Sequence, residues 1–325
     1  MDLIYADENM VEIGVIQDYE FDLAFGEDEN DFELTIRSEK HCCKAGYFVY
    51  IEGTEYGGLI DGIKSDTAAN EVTYFGRTWH GLLASKIFSK NKDNLTVSES
   101  MTIKRCLSIL ITRIDLYKLF DSSVPDSVGN INGFNIEAYS NGYTVIAEML
   151  KSVNLRMQIT TTPPKVTITA VPIKDYSQDE QFDSDLVGMN IKKCKNTVNH
   201  LICLGAESDD GSRLEVHLYT DQNGEVSQTQ TFFGLDEFAM LYERPYTKNE
   251  DDLIKYGTEK LKKEWMRDEI EIDFDDKTDL YGIGDIVGAY DHVTETEVTV
   301  PIIKKIVTVK NGQITISYKV GEKIE

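Results

Sequence analysis

Hydrophobic and polar residues alternate with a period of two over the first ninety residues of the chain. Apolar residues spaced two apart are Phe21, Leu23, Phe25, Phe32, Leu34 and Ile36. This period is typical of half-buried strands. The acidic stretch 26–31 between the two runs predicts a solvated hairpin loop. Further strands are predicted over 47–51 and 72–75, with glycine turns between them, which favours a small barrel or sandwich.

The period changes to three and four residues after position 100. Apolar residues in this pattern predict an amphipathic helix over 100–114, with Thr96 and Glu99 as a capping box just before it. A second short helix is predicted over 143–153. A hairpin follows, with arms at 155–161 and 166–171 and the pair Pro163-Pro164 in its turn.

Strand patterns return in the last third of the chain. The apolar run 201–204 predicts a strand that is buried on both faces. Alternation at Leu214, Val216 and Leu218 leads to Asn223-Gly224, a strong hairpin signal. The final strands are predicted over 283–289, 297–309 and 314–320, with Asn311-Gly312 as a tight turn.

A third helix is predicted within this last β region. Thr247 or Asn249 can cap it, acidic residues occupy its first turn and basic residues its end, which suits the helix dipole. Leu253, Leu261 and Trp265 would face the core.

The order of elements predicts a mainly β, α+β protein with two β-barrel-like domains. Residues 1–93 form the N-terminal β-barrel domain and residues 94–175 a small α/β domain. Residues 176–325 form the second β-barrel domain, with a helical insertion at about 236–269. The polar, acidic stretch 174–185 is predicted to be a linker or long loop.

The charge balance narrows the classes of partner. The 325 residues carry 33 basic and 57 acidic side chains, a net charge of −24. Such a surface argues against binding nucleic-acid phosphates or anionic membranes.

No stretch of about 18 apolar residues predicts a membrane span. The N-terminal sequence lacks the features of a signal peptide, so synthesis and folding in a cytoplasm are expected.

The cysteines and histidines predict no cofactor, metal or catalytic site. The five cysteines lack a Cys-x-x-Cys pair, so reduced, mostly packed thiols are expected. His41-Cys42-Cys43 resembles a ligand cluster, but adjacent residues of a strand point to opposite faces, which disfavours a metal. The other histidines, His80, His200, His217 and His292, are scattered along the chain, and His80 is expected to pack against aromatic rings.

Other chemical signals are weak. Phosphate-binding, dinucleotide-binding, zinc-protease and serine-hydrolase motifs are absent from the sequence. Two acidic runs could suggest a glycosidase or a calcium site, but such runs are usually solvated. They are Asp179, Glu180, Asp183 and Asp185, and then Asp273, Asp275, Asp276 and Asp279.

An ordered set of β segments resembles a known family. The segments are 31–36, 46–58, 72–83, 199–205, 227–231 and 281–289. In this order they are similar to the phage tail proteins called Gp37-like, found in siphoviruses and in prophages of Gram-positive bacteria. The resemblance spans nearly the whole chain and carries no catalytic residues with it.

The resemblance implies a baseplate or tail-tip hub subunit of a virion tail, made in the bacterial host cytoplasm. Three copies, with two barrels each, would form a ring that matches a six-fold tail tube to a three-fold tip. The implied partners are further copies of the chain, a tail tube or distal tail protein, and a tip, spike or fibre protein. Acidic residues could line the channel and repel passing DNA.

Two other functions stay open at this point. One is a tail-associated cell-wall hydrolase, for which the length leaves little room once the three regions are assigned. The other is a carbohydrate-binding module for host adhesion that uses some of the 17 tyrosines.

Overall fold

The computed structural model describes most of the chain. The described residues are 2–88, 96–97, 100–137, 139–177, 181–183, 188–192, 197–208, 211–265, 269–276, 279–310 and 312–321. They form a mainly β protein with four α-helices. Contacts group the chain into two compact units, a larger unit of residues 1–189 and 271–325 and a smaller unit of residues 190–270. The three-domain division stays a prediction of the sequence.

The helices are short and capped. They are α1 (Trp79–Ala84), α2 (Ile103–Arg113), α3 (Gly142–Lys151) and α4 (Glu250–Trp265). Three single turns of 3-10 helix lie at Ser38–Lys40, Asp126–Val128 and Gly234–Asp236.

The strands of the first half are mostly short. They are β1 (Leu3–Ala6), β2 (Glu12–Ile16), β3 (Glu20–Gly26), β4 (Asp31–Arg37), β5 (Phe48–Tyr50), β6 (Gly57–Asp66), β7 (Glu71–Thr78), β8 (Thr96–Val97), β9 (Met101–Thr102), β10 (Phe120–Ser122), β11 (Asn130–Ile131) and β12 (Phe134–Asn135).

The strands of the second half include the longest one. They are β13 (Leu155–Thr162), β14 (Lys165–Pro172), β15 (Gln181–Asp183), β16 (Gly188–Lys192), β17 (His200–Glu207), β18 (Arg213–Thr220), β19 (Val226–Ser227), β20 (Ala239–Glu243), β21 (Glu269–Asp276), β22 (Ile286–Asp291), β23 (Thr296–Lys310) and β24 (Gln313–Val320).

The larger unit is organised by one long sheet. Its strands follow the order β24-β23-β3-β4-β7-β6-β5-β1-β2. β23 pairs antiparallel with β3, so a strand from the end of the chain lies beside one from its beginning. The predicted hairpin of β3 and β4 is confirmed. The two ends of the sheet do not pair with each other among the described strands, so the closed barrels stay a prediction.

The middle of the chain packs against this sheet in the larger unit. The predicted hairpin of β13 and β14 is confirmed, and β10 adds a parallel strand to it. The apolar faces of α2 and α3, with Leu107 and Ile146 fully buried, join the same core as Trp79 and Tyr50. Apolar burial of this kind contributes about 1.5–3 kcal/mol for each large side chain.

Two predicted helix boundaries differ from the structure. α2 begins at Ile103 and not at 100, because Met101 and Thr102 pair with β11 and the Thr102 hydroxyl accepts the Arg105 amide hydrogen. The predicted capping box is therefore wrong in its position, and Glu99 lies outside the described residues. α3 begins at Gly142, where the Asn141 side chain accepts the Thr144 amide hydrogen at 2.9 Å.

The stretch predicted to be a linker contributes to a sheet. The amide of Tyr176 donates to the Ile286 carbonyl, and β15 pairs in parallel with β22. Residues 178–180 and 184–187 lie outside the described residues. The linker prediction is therefore wrong for the described part, because backbone groups of β22 offer partners that the local sequence does not reveal.

The smaller unit is a four-stranded sheet covered by α4. The strand order is β19-β18-β17-β20. Leu201 and Cys203 of β17 are fully buried, whereas Ile202 and Leu204 are only half-buried. The prediction of burial on both faces is therefore wrong, because α4 packs on one face of the sheet.

A glycine sets how closely α4 approaches the sheet. A Cβ atom at Gly257 would lie 2.6 Å from Cys203 Sγ. The predicted core residues Leu253 and Leu261 of α4 are fully buried, and Trp265 is half-buried against Phe232.

Candidate functional site

A buried lysine forms the centre of an ionic cluster in the larger unit. Lys305 is 2% exposed. Its Nζ donates to Glu55 Oε1 at 2.8 Å and also to a carboxylate oxygen of Asp279. Burying an ammonium group costs several kcal/mol unless a counter-charge satisfies it. The two carboxylates therefore make this position tolerable for a lysine.

Aromatic rings enclose the ammonium group of Lys305. Its Nζ lies 5.2 Å from the ring centre of Tyr56 and 5.9 Å from those of Phe25 and Tyr318. Such contacts add cation–π stabilisation. The Tyr56 hydroxyl donates to Asp279. Burial and the nearby Asp279 charge both raise the pKa of Tyr56, so this hydroxyl remains a hydrogen-bond donor.

The cluster remains charged at neutral pH. Burial alone would raise the pKa of Glu55, but the charges of Lys305, His80 and Arg156, together with the hydrogen bond from Lys305, outweigh burial and the pKa is lowered. Burial alone would lower the pKa of Lys305, but Glu55 and Asp279 outweigh it and the pKa is raised. A protonated, enclosed amine is no nucleophile, so this geometry favours a structural ion pair.

His80 packs beside the cluster. It is 3% exposed, stacks on Phe25 with ring centres 4.5 Å apart, and contacts the Tyr143 ring edge-on. The predicted aromatic environment of His80 is confirmed. Its Nε2 lies 4.0 Å from Glu55 Oε2. Burial lowers the pKa of His80 to about 4, so the ring is neutral at pH 7.

A second buried ion pair lies on the same side of the larger unit. Asp285 has no exposed surface, and its Oδ1 accepts hydrogen bonds from Arg156 Nε at 2.8 Å and from the Lys174 amide at 2.9 Å. Its Oδ2 accepts from the Gly282 amide at 2.9 Å. The carboxylate thus satisfies donors from the β13 strand, the segment after β14 and the segment before β22.

Two open clefts flank these ion pairs. A cleft of 490 Å³ is lined by His80, Glu55 and Arg156, and a second of 390 Å³ by Glu55, Arg156 and Lys305. Of the charged groups at their walls, Glu55 pairs with Lys305 and Arg156 pairs with Asp285. The ion pairs join three distant parts of the chain.

The smaller unit contains a chain of hydrogen-bonded side chains. His200 Nδ1 lies 2.7 Å from Glu237 Oε1, His200 Nε2 lies 2.7 Å from His217 Nδ1, and His217 Nε2 lies 2.7 Å from Glu215 Oε1. Tyr219 stacks on His200 at 4.3 Å. The expectation that the histidines are scattered is wrong for this pair, because the register of β17 and β18 places them diagonally on one face.

Proton counting constrains this chain. Three hydrogen bonds between two carboxylates and two imidazoles need three ring protons, and two neutral imidazoles carry only two. All three hydrogen bonds of this side-chain network can therefore form together when the pair of His200 and His217 carries one positive charge. The Glu237 and Glu215 carboxylates accept the hydrogen bonds at its two ends.

An acidic groove runs along the long sheet. It has a volume of 690 Å³ and follows β3, β4 and β7. The acidic side chains that line it are Asp22, Glu29, Asp31, Glu33 and Asp61. Arg77 in the same groove forms a two-point pair with Asp61 at 2.7 and 2.8 Å. Burial, with the Glu29 and Glu33 charges, raises the pKa of Asp31.

The His41-Cys42-Cys43 segment is not a strand. The amides of Cys42 and Cys43 both donate to the Tyr74 hydroxyl, at 3.1 and 3.2 Å, and His41 Nδ1 lies 2.8 Å from the same oxygen. The two sulfur atoms are 3.6 Å apart. The argument that adjacent residues point apart is therefore wrong here, because the chain wraps around one hydroxyl. Cys106 and Cys203 are also free thiols.

The structure describes only part of the two acidic runs. Asp279 is an ion-pair partner of Lys305, which the prediction of a solvated run missed. The side chains at 179–180, 183, 185 and 273–276 lie outside the described residues. Within the described ranges, no group of three or more His, Cys, Asp or Glu residues is arranged to hold a metal ion. No described helix has the length and apolar character to cross a membrane.

The fold is similar to solved tail and baseplate proteins over the full chain. Prophage tail protein gp18 from Listeria monocytogenes EGD-e matches 100% of this chain and 96% of its own, with 14% identity and a TM-score of 0.51. A chain of the phage P2 baseplate in its activated conformation with calcium matches 100% of both, with 13% identity and a TM-score of 0.55.

A third solved structure gives the same result. The 43 kDa tail protein of prophage MuSo2 from Shewanella oneidensis matches 99% of this chain and 98% of its own, with 10% identity and a TM-score of 0.52. At these identities the likeness shows a shared fold. No protein-family model matches the sequence, and no curated protein matches it.

Proposed function

We propose that this chain is a structural subunit of a phage or prophage tail, placed in the baseplate or tail-tip hub. The observation that carries the proposal is the fold likeness to tail and baseplate proteins, which spans the whole of this chain and nearly the whole of each of theirs. The ordered β segments that resemble Gp37-like tail proteins support the same role.

The proposed working form is a ring of three copies, in which two barrel-like modules per copy meet a six-fold tail tube. Closed cyclic contacts let one subunit type match two symmetries. The tube or distal tail protein would bind one face of the ring, and a tip, spike or fibre protein the other. The chain would act by geometry and not by catalysis.

The acidic groove gives the ring a candidate channel surface. Asp22 and Glu33 lie on β3 and β4 of the long sheet and Glu29 lies in the loop between these strands, and like charges repel DNA phosphates. A channel lined in this way would let DNA pass without binding. In a reconstruction of the assembled ring, these residues are expected to face the channel; finding them all on the outer surface contradicts this part of the proposal.

Light scattering on the purified chain, alone and mixed with its tube protein, tests the ring. The expected mass is three chains, alone or in the mixture. A mass of one chain under both conditions overturns the three-fold ring.

Incubation of the purified chain with bacterial cell walls, followed by zymography, tests the absence of catalysis. Clear lysis would favour a wall hydrolase.

A further inference from the structure

Two adjacent thiols in the larger unit share one side of a loop. Cys42 Sγ lies 3.6 Å from Cys43 Sγ, and Cys42 is half-buried whereas Cys43 is 2% exposed. Adjacent residues in a strand would point their side chains to opposite faces. The loop at 41–44 instead brings both sulfur atoms together.

The loop is held in this form by a buried tyrosine. Tyr74 has no exposed surface, and its hydroxyl oxygen accepts both cysteine amide hydrogens. His41 stacks on the Tyr74 ring, with ring centres 5.9 Å apart, and contacts the same hydroxyl. The positions of the two thiols are therefore fixed by the sheet below them and do not depend on a bound ligand.

The two thiols differ in reactivity. The hydrogen bond between the two thiols lowers the pKa of Cys42, although burial opposes this effect. The same hydrogen bond, together with burial, raises the pKa of Cys43. Cys42, the more accessible sulfur, is thus also the better nucleophile, since the thiolate is the reactive form.

The distances favour a one-atom bridge over a direct disulfide. Consecutive Cα atoms lie about 3.8 Å apart, whereas disulfide-linked residues usually have Cα atoms about 4.4–6.8 Å apart. A direct bond would also require the sulfur atoms to close from 3.6 Å to about 2.05 Å. A single soft atom bonded to both sulfurs needs a wider separation and leaves the loop nearly as it is.

We propose that Cys42 and Cys43 form a dithiol site for trivalent arsenicals, soft thiophilic compounds that make two bonds to sulfur. With phenylarsine oxide, Cys42 sulfur attacks arsenic and forms the first As–S bond, while the oxide oxygen takes up the thiol proton and becomes a hydroxyl. Cys43 sulfur then forms the second As–S bond, and the hydroxyl leaves with the Cys43 proton as water. Arsenic stays trivalent, so no oxidant or reductant is needed.

Intact mass spectrometry of the native, full-length chain tests this site. One equivalent of phenylarsine oxide is expected to add the mass of one reagent minus one water. A small dithiol in excess is expected to remove it, and an equal concentration of a monothiol is expected to leave it in place. Peptide mapping of the wild-type adduct is expected to place it on the segment that contains Cys42 and Cys43.

Single substitutions separate this pair from the other thiols. Cys42→Ser and Cys43→Ser are each expected to abolish the monothiol-resistant adduct, whereas Cys106→Ser and Cys194→Ser retain it. Mapping of the wild-type protein does not depend on whether the variants fold. No adduct on the native protein, or an adduct mapped to another cysteine, overturns the proposal.

Discussion

Removing the amine of Lys305 should destabilise the larger unit more than removing any exposed lysine. In Lys305→Met, Glu55 keeps its charge inside the protein and loses its main counter-charge. Breaking one partner of a buried pair costs about 3–5 kcal/mol. Glu55 retains 20% exposure and Asp279 retains 41%, so water partly solvates both carboxylates. We therefore expect a loss at the lower end, about 3 kcal/mol.

A second substitution and a matched control separate the charge effect from the loss of packing. Adding Glu55→Gln to Lys305→Met removes the stranded charge, and the double variant should recover more than half of the lost stability. The control is Lys310→Met on the same strand. Lys310 lies 2.7 Å from Glu20 but is 58% exposed, so its loss should cost less than about 1 kcal/mol.

The assay can report on the larger unit alone. The chain has two tryptophans, and Trp79 is fully buried in the larger unit whereas Trp265 lies in the smaller one. In a Trp265→Phe background, urea unfolding followed by fluorescence reports on the environment of Trp79. The midpoint should fall for Lys305→Met with an unchanged slope. Equal losses for Lys305→Met and Lys310→Met would refute the reasoning.

Three further predictions concern pH, packing and capping. His80 should make the larger unit less stable as pH falls from about 6.5 to about 4, because the ring binds a proton in the unfolded chain but not when it is buried with its pKa lowered to about 4. The loss in free energy of unfolding should approach about 3 kcal/mol. Urea midpoints measured against pH should fall less steeply for His80→Phe than for the wild-type protein. Gly257→Ala should destabilise the smaller unit by about 1–3 kcal/mol, since the new methyl group would overlap Cys203; a gain, the usual effect of this substitution in a helix, would show that α4 can move outward, and Trp265 fluorescence measures the outcome. Asn141→Ala should cost about 1 kcal/mol because the Thr144 amide loses its capping acceptor, and Asn141→Asp should restore most of it in thermal unfolding.

Individual strands and hairpins could be predicted because the spacing of apolar residues depends only on neighbouring positions in the sequence. The alternation of β3 and β4 and the hairpin of β13 and β14 follow from residues close together in the sequence. The pairing of β23 with β3 was not predictable, because period two identifies a half-buried strand but not its neighbour. The same limit explains the error over the polar stretch after β14, whose backbone partners lie on β22.

The ionic cluster left one signal in the sequence. Val307 and Val309 of β23 face the core, and Lys305 has the same parity in the strand. A lysine on the buried face of a strand requires a counter-charge, so the sequence could predict that one exists. It could not identify Glu55 and Asp279, because both come from distant segments and the sequence contains 57 acidic residues.

The histidine and cysteine clusters were missed for different reasons. His200 and His217 face each other because of the register of β17 and β18, which a hairpin alignment could have suggested. Cys42 and Cys43 converge because both amides bind the Tyr74 hydroxyl, a contact between a loop and a distant strand. Residues 41–44 do not form a strand, so the alternation of side chains along a strand does not apply to them.

The location of the chain in assembled particles tests the central claim most directly. Purified tails from the producing host, labelled with a gold-coupled antibody against this chain, would be imaged by electron microscopy. Label is expected at one end of the tail, where the tube meets the tip, and it is expected to persist after high-salt washing. Particles that lack the chain, or label distributed along the tube, would contradict a structural role at the hub.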